Sequence, residues 1–136
     1  MIKKGIILAG GSGSRLSPLT KATNKQLLPI YDKPLIFYPL SILMLANIKN
    51  ILMIVNPGQI KNFQDILGDG KRYGIKIQYK IQNKPRGLAD AFILGRNFIK
   101  NDNVALILGD NFFYGQSLTD KLEKSLIHNN GARIFL

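Results

Sequence analysis

Cysteine is absent from the 136 residues, tryptophan is absent, and there is one histidine. Without cysteine there can be no disulfide framework, no thiolate zinc site and no cysteine nucleophile, and the chain is compatible with a reducing cytoplasm. Long apolar runs are also missing. The longest, 35–48, is interrupted by Pro39, Ser41 and Asn47 and is too short to cross a bilayer. The first residues, Met1-Ile2-Lys3-Lys4-Gly5, run into a strand pattern with no small-residue cleavage site, which argues against a signal peptide. Acidic residues are scarce, 8 Asp+Glu against 19 Lys+Arg, for a formal charge of +11. Such an excess favours anionic partners, although the lysines are scattered along the chain in the manner of an ordinary solvated surface.

What remains is a globular composition, 46% hydrophobic and 20% charged, at a length of about one domain. The pattern alternates strand and helix. Buried strands are predicted at Gly5–Ala9, Asn50–Val55 and Val104–Leu108, the last reading as the most buried. Residues 75–81 alternate isoleucine and tyrosine with lysine and glutamine, as in a strand with one polar face or near a sheet edge. Helices are predicted at Pro34–Ile48, Ile60–Leu67, Leu88–Ile99 and Leu118–His128. The Leu88–Ile99 helix is read with Leu88, Ala91, Phe92 and Gly95 on one stripe. Residues 10–26 read as a long loop, Gly131 as a helix stop, and 132–136 as the opening of another strand. Strands separated by helices imply right-handed crossovers and a mostly parallel sheet covered on both faces. A chain that stops as a strand opens is expected to be part of a longer protein.

In open parallel sheets ligands bind beyond the carboxyl ends of the strands, and the unusual residues fall there. Gly10-Gly11-Ser12-Gly13-Ser14-Arg15 follows the first strand. Its glycines allow sharp turns and close approach, its free N–H groups can form an anion nest, and Arg15 adds a planar fork for phosphate oxygens. The segment from Gln82 to Gly87 follows the third strand and Gly109-Asp110-Asn111 the fourth. Asp110 suits either a turn or a hard oxygen ligand for Mg²⁺. Lys25 is a surface lysine or a mobile charge on a phosphate. His128, at a helix end, receives no catalytic task. The P-loop pattern is absent. The dinucleotide pattern fails at its third glycine, and Asp32, at the right distance for a ribose contact, sits in the turn Tyr31-Asp32-Lys33-Pro34.

Three runs together resemble the glucose-1-phosphate thymidylyltransferases within the sugar nucleotidyltransferases. They are Gly5 to Leu16 (GIILAGGSGSRL), Lys25 to Pro34 (KQLLPIYDKP) and Leu108 to Gly115 (LGDNFFYG). The similarity runs along the whole chain. The glycine signature is common to many sugar nucleotidyltransferases, whereas the Lys-Gln-Leu-Leu-Pro-Ile-Tyr run favours the thymidylyl branch. The resemblance implies an α/β, three-layer Rossmann-like nucleotidyltransferase fold with a mostly parallel sheet. Residues 1–136 would be its nucleotide-binding part, with the C-terminal part absent.

The resemblance also implies roles. The glycine loop (Gly10, Gly11, Ser12, Gly13), Leu8, Arg15 and Lys25 would hold the nucleotide and the reacting phosphate. Gln26, Gln82 and Gly87 would line the deoxynucleoside pocket. Asp110 would bind the catalytic Mg²⁺, and Asn111 would lie near the sugar. The expected partners are dTTP and glucose 1-phosphate, with no nucleic acid and no membrane, in a cytoplasmic enzyme that is a homo-oligomer when full length. Ser14 stands where threonine is usual, Asn24 where serine or proline is, and Lys84-Pro85-Arg86 precedes Gly87 where an acidic residue is more typical. The last departure bears on base selectivity. Three other readings are open: a uridylyltransferase of the same fold, a nucleotide binder without turnover, and a nucleic-acid binder suggested only by the charge.

Overall fold

The computed structural model describes residues 1–11, 13–127 and 131–135. Its centre is a four-stranded sheet in the order β5-β4-β1-β6, formed by β1 (Lys4–Ala9), β4 (Asn50–Val55), β5 (Lys76–Ile81) and β6 (Val104–Leu108). Every neighbouring pair is parallel, with Ile7 opposite Met53 on one side and Ile107 on the other. A small antiparallel hairpin, β2 (Pro29–Ile30) with β3 (Lys33–Pro34), stands apart from the sheet.

Alternation along the strands sends side chains to two faces. On one face Ile7, Ala9, Ile51, Met53, Val55 and Ile107 pack with α2 (Phe37–Leu45), α3 (Ile60–Leu67) and α6 (Leu118–Ile127) through Leu40, Phe63 and Leu122. On the other, Ile6, Leu52 and Ile54 meet α4 (Asp90–Leu94) and α5 (Arg96–Ile99) through Ala91, Leu94 and Phe98. The result is the three-layer α/β arrangement expected from the sequence.

Local chemistry explains where elements agree with the sequence and where they do not. The strand at Asn50–Val55 and the helix at Ile60–Leu67 have the expected bounds. β5 is an edge strand, with Lys76 and Gln78 exposed and Ile77 buried. α2 is shorter than the apolar run, and Pro39 sits at its third residue, where no intrahelical N–H is required. The stretch 10–26 is not plain loop: it holds a 3₁₀ turn at Ser14–Leu16, the short helix α1 (Leu19–Ala22) and the start of a second 3₁₀ turn, Lys25–Leu27.

Four expectations are corrected. β6 is not the most buried strand. Only Ile107 is buried there, against five residues of β4, because β6 has β1 as its one sheet neighbour among the described residues while β4 is flanked on both sides. The helix expected at Leu88–Ile99 divides at Gly95 into α4 and α5, since glycine resists interruption least. A Cβ at Gly95 would come within 3.0 Å of the Ile6 side chain, so its smallness lets the helix pair lie close to β1. Its expected apolar stripe is only partly inside: Ala91 is buried, while Leu88 and Phe92 are exposed. Residues 132–135 form no strand and are exposed, without a sheet partner among the described residues. α6 is described as far as Ile127; the expected helix end at His128, and Leu136, lie outside the described residues.

Candidate active site

β1 leads to β4 and β5 on one side of itself and then to β6 on the other, so the strand order reverses between β1 and β6. That reversal opens a crevice at the carboxyl ends of the strands. The residues immediately after the four strands are Gly10, Asn56, Gln82 and Gly109. Two of them continue the ladders: Gln82 N donates to Val55 O at 2.8 Å and Gly109 N to Leu8 O at 2.9 Å. Their side chains, or lack of them, are therefore held at the rim by backbone pairing.

Contacts at this rim tie together segments far apart in sequence. A Cβ at Gly10 would lie 3.0 Å from Gln82 Oε1 and 3.1 Å from Asn56 Oδ1, so only glycine leaves both oxygens undisturbed there. Gln26 Nε2 donates to Gly10 O at 3.3 Å. A Cβ at Gly109 would meet the Ala9 backbone and Gln26 Cγ, each at 3.0 Å. Lys25 Nζ donates to Asp110 Oδ2 at 2.7 Å, both side chains about a third exposed. The three loops expected to converge come together at their first residues, Gly10, Gln82 and Gly109-Asp110.

Each side chain has a local reason to be where it is. The Lys25–Leu27 turn is capped by Asn24, whose Oδ1 accepts from Gln26 N at 2.9 Å. The turn is then pinned to the entrance of α2, where Ile36 N donates to Gln26 O at 2.8 Å. Gln26 is thereby buried, and its Oε1 is a buried acceptor with no donor among the described residues. Such an atom costs about 1–3 kcal/mol unless a ligand or water supplies one. Asp110 is fixed from the other direction. Phe113 packs against the main core, and the Phe112 ring lies tilted against that of Tyr38 with centroids 4.9 Å apart. Tyr38 in turn donates to Ile30 O at 2.7 Å.

Other sequence-derived residues are placed less tightly. Leu8 is half-buried in β1, with its carbonyl taken by Gly109 N. Gly11 has φ +109, a region L side chains rarely adopt, and Gly13 opens the Ser14–Leu16 turn. Arg15 is exposed and makes no ion pair among the described residues. Asn111 is half-buried in the turn after β6, and Gly87 is exposed with φ +86. Ser12 lies outside the described residues. Asp32 pairs with Lys33 at 2.6 Å in the exposed hairpin turn, and that hydrogen bond holds its carboxyl below the usual range.

Sequence reasoning missed Asn56 and Asp90. Asn56 clamps the glycine loop: its Oδ1 accepts from Gly11 N at 3.1 Å and its Nδ2 donates to Gly11 O at 2.8 Å. The available signal was its position directly after a buried strand, but Asn56-Pro57-Gly58 reads first as a turn. Asp90 is buried at the first residue of α4 and accepts from Gln82 Nε2 at 2.8 Å; nothing in the local pattern marks it.

The donor set suits a divalent cation only in part. No group of three or more His, Cys, Asp or Glu side chains could hold a metal among the described residues. Asp110 offers one carboxylate at the crevice, with Lys25 on Oδ2. One carboxylate completed by substrate phosphates is a pattern that fits Mg²⁺, which keeps waters and takes few protein ligands.

The family model for nucleotidyl transferases matches residues 4–135. The chain belongs to the nucleotidyl transferase family. As a nucleotidyltransferase chain it is 58% identical over 132 residues to the glucose-1-phosphate thymidylyltransferase of Neisseria meningitidis, covering 97% of this chain and 46% of that relative. Its fold matches a crystal structure from Bacillus anthracis, described as a glucose-1-phosphate thymidylyltransferase with sucrose bound. The TM-score is 0.83 at 39% identity, over 90% of this chain and 50% of that one. A UDP-glucose pyrophosphorylase solved with UDP-glucose matches with a TM-score of 0.78 at 27% identity, over 92% and 52%. This nucleotidyltransferase chain thus spans about half the length of the relatives it matches. No helix among the described residues is long and apolar enough to cross a membrane.

Proposed function

We propose that this chain is the nucleotide-binding part of a glucose-1-phosphate thymidylyltransferase, which makes dTDP-glucose and pyrophosphate from dTTP and glucose 1-phosphate. The observation that carries the reading is the meeting of Lys25 and Asp110 beside a glycine loop at the reversal of strand order. A phosphate oxygen of the sugar phosphate attacks the α-phosphorus in line, and pyrophosphate leaves. The nucleophile is already an anion, so no general base is required. The work is to bring two anions together and align them, which positioning and electrostatics can do.

In this reading the backbone N–H groups of Gly10, Ser12 and Gly13 and the guanidinium of Arg15 grip the nucleotide phosphates. Gly11, whose own N–H is held by Asn56 Oδ1, lets the backbone come close, and Leu8 lines the nucleotide at the end of β1. Lys25 moves from its ion pair onto the reacting phosphate. Asp110 holds Mg²⁺, which when bound supplies charge neutralisation of the phosphates. The orphaned Oε1 of Gln26 accepts from a hydroxyl of the nucleotide sugar, Gln82 and the backbone of Gly87 read the base, and Asn111 meets the hexose. A cytoplasmic setting accords with the lack of cysteine.

The test is pyrophosphate release in the presence of Mg²⁺, dTTP and glucose 1-phosphate, with omission of each component in turn. Release that does not depend on the sugar phosphate would sink the proposal. The likeness to a UDP-glucose pyrophosphorylase supports a second reading, uridylyl transfer. Turnover with UTP exceeding that with dTTP would favour it.

A further inference from the structure

Gln82 and Asp90 form the one hydrogen bond between two buried side chains among the described residues, Gln82 Nε2 donating to Asp90 Oδ2 at 2.8 Å. An ionised carboxylate can only accept, whereas an amide has a donor end and an acceptor end. Asp90 therefore takes the Nε2 end, and the opposite end of the amide is decided. Gln82 Oε1 faces Gly10, 3.0 Å from where a Cβ there would stand, and it accepts from no described residue. The crevice is thus presented with an acceptor whose orientation is locked from behind. Backbone pairing of Gln82 N with Val55 O holds the residue from the other side.

We propose that Asp90 is a positioning residue for base selection. By holding the Gln82 amide with its carbonyl oxygen outward, it favours a base that carries a ring N–H over one that carries a ring acceptor at the same place. Thymine and uracil donate from N3; cytosine, of the same size, accepts there. The inference rests on the reading of Gln82 as a base contact. Asp90 touches no substrate and acts only through Gln82.

The experiment measures the affinities of dTTP and dCTP for the full chain by titration calorimetry. A reduced folded fraction scales both dissociation constants alike, so their ratio reports orientation rather than yield. Asp90→Asn is isosteric, but its own amide can either accept from Gln82 Nε2 or donate to Oε1, so both orientations of Gln82 become available. The preference for dTTP over dCTP is expected to fall by about tenfold or more, the scale of one exchanged hydrogen bond. Asp90→Glu, still an acceptor, is expected to retain most of it. Asp90→Ser, with a hydroxyl that gives and takes, serves as the second variant if Asp90→Asn does not fold. Gln82→Leu is the control for the underlying reading. If Gln82→Leu abolishes the preference while Asp90→Asn and Asp90→Ser leave it intact, the role of Asp90 is overturned and base reading by Gln82 stands. If Gln82→Leu leaves the preference unchanged, or dTTP does not bind, the base-contact reading falls and this inference falls with it.

Discussion

Lys25 and Asp110, 85 positions apart, hold each other at 2.7 Å between Nζ and Oδ2 at the carboxyl rim of the sheet. In that state the lysine occupies one oxygen of the carboxylate expected to meet a cation. Metal and ammonium compete for the same charge. Replacing Lys25 by methionine is therefore expected to tighten binding of a divalent ion to the nucleotide-free chain. The gain should be about two- to fivefold, because both side chains are a third exposed and such pairs contribute about 0.2–1 kcal/mol. Mn²⁺ titration followed by electron paramagnetic resonance reads this directly. Unchanged affinity would remove Asp110 as the ligand.

Turnover provides a separate test of the charged groups. In the protein that carries this chain, Asp110→Ala and Arg15→Ala are each expected to lower pyrophosphate release by about a hundredfold or more, the scale of losing one oriented charge stabiliser. Near-normal turnover in either variant would refute the role given to that residue. Arg15 is the more exacting case, since it is exposed and makes no ion pair among the described residues. Its contribution must arise entirely in the bound state.

Asn56 leads to a different kind of prediction, because it holds the loop rather than the ligand. It gives one hydrogen bond to Gly11 O and takes one from Gly11 N. Both are exposed, so Asn56→Ala should cost little stability, about 1 kcal/mol. The glycine loop would then have to be ordered on binding, and that ordering is subtracted from affinity. dTTP binding is expected to weaken about tenfold with a small change in denaturation midpoint. A large stability loss with unchanged affinity would show that Asn56 holds the fold and not the site.

The degree to which all this was legible in the sequence differs between residues for physical reasons. β4 could be bounded from its apolar run and the Asn56-Pro57-Gly58 stop, because a central strand is hydrophobic on both faces. β6 has an equally apolar run, yet only Ile107 is buried. Burial depends on neighbours, and a strand's place in the sheet is not written in its own residues. The helix break at Gly95 follows from close packing on Ile6, a contact between residues 89 positions apart in sequence. Lys25 and Asp110 could be proposed singly from position and chemistry, and the glycine loop from its composition. The Asp90–Gln82 bond could not, since Asp90 lies within a helical pattern where an acid is usually solvated.

Tyr79 sets the behaviour at high pH. Its hydroxyl donates to Gly68 O at 2.6 Å, and burial, with the nearby charge of Asp69 adding to it, pushes its pKa from 10.0 to about 12. An acid whose folded-state value is raised is held neutral in the fold while it would already ionise in the unfolded chain. Its stabilising contribution is therefore complete below pH 10 and is lost progressively as pH rises toward about 12. Tyr79→Phe removes both the hydrogen bond and this titration. At pH 8 the parent chain should be more stable than the variant by about 1 kcal/mol, the net value of one hydrogen bond. By pH 11 the difference should have shrunk, because only the parent has an ionisable group at that position. Urea denaturation at the two pH values measures both gaps. A gap that stays constant would mean that Tyr79 titrates alike in the folded and unfolded chain. Burial at the edge of the sheet would then be too shallow to hold the hydroxyl neutral.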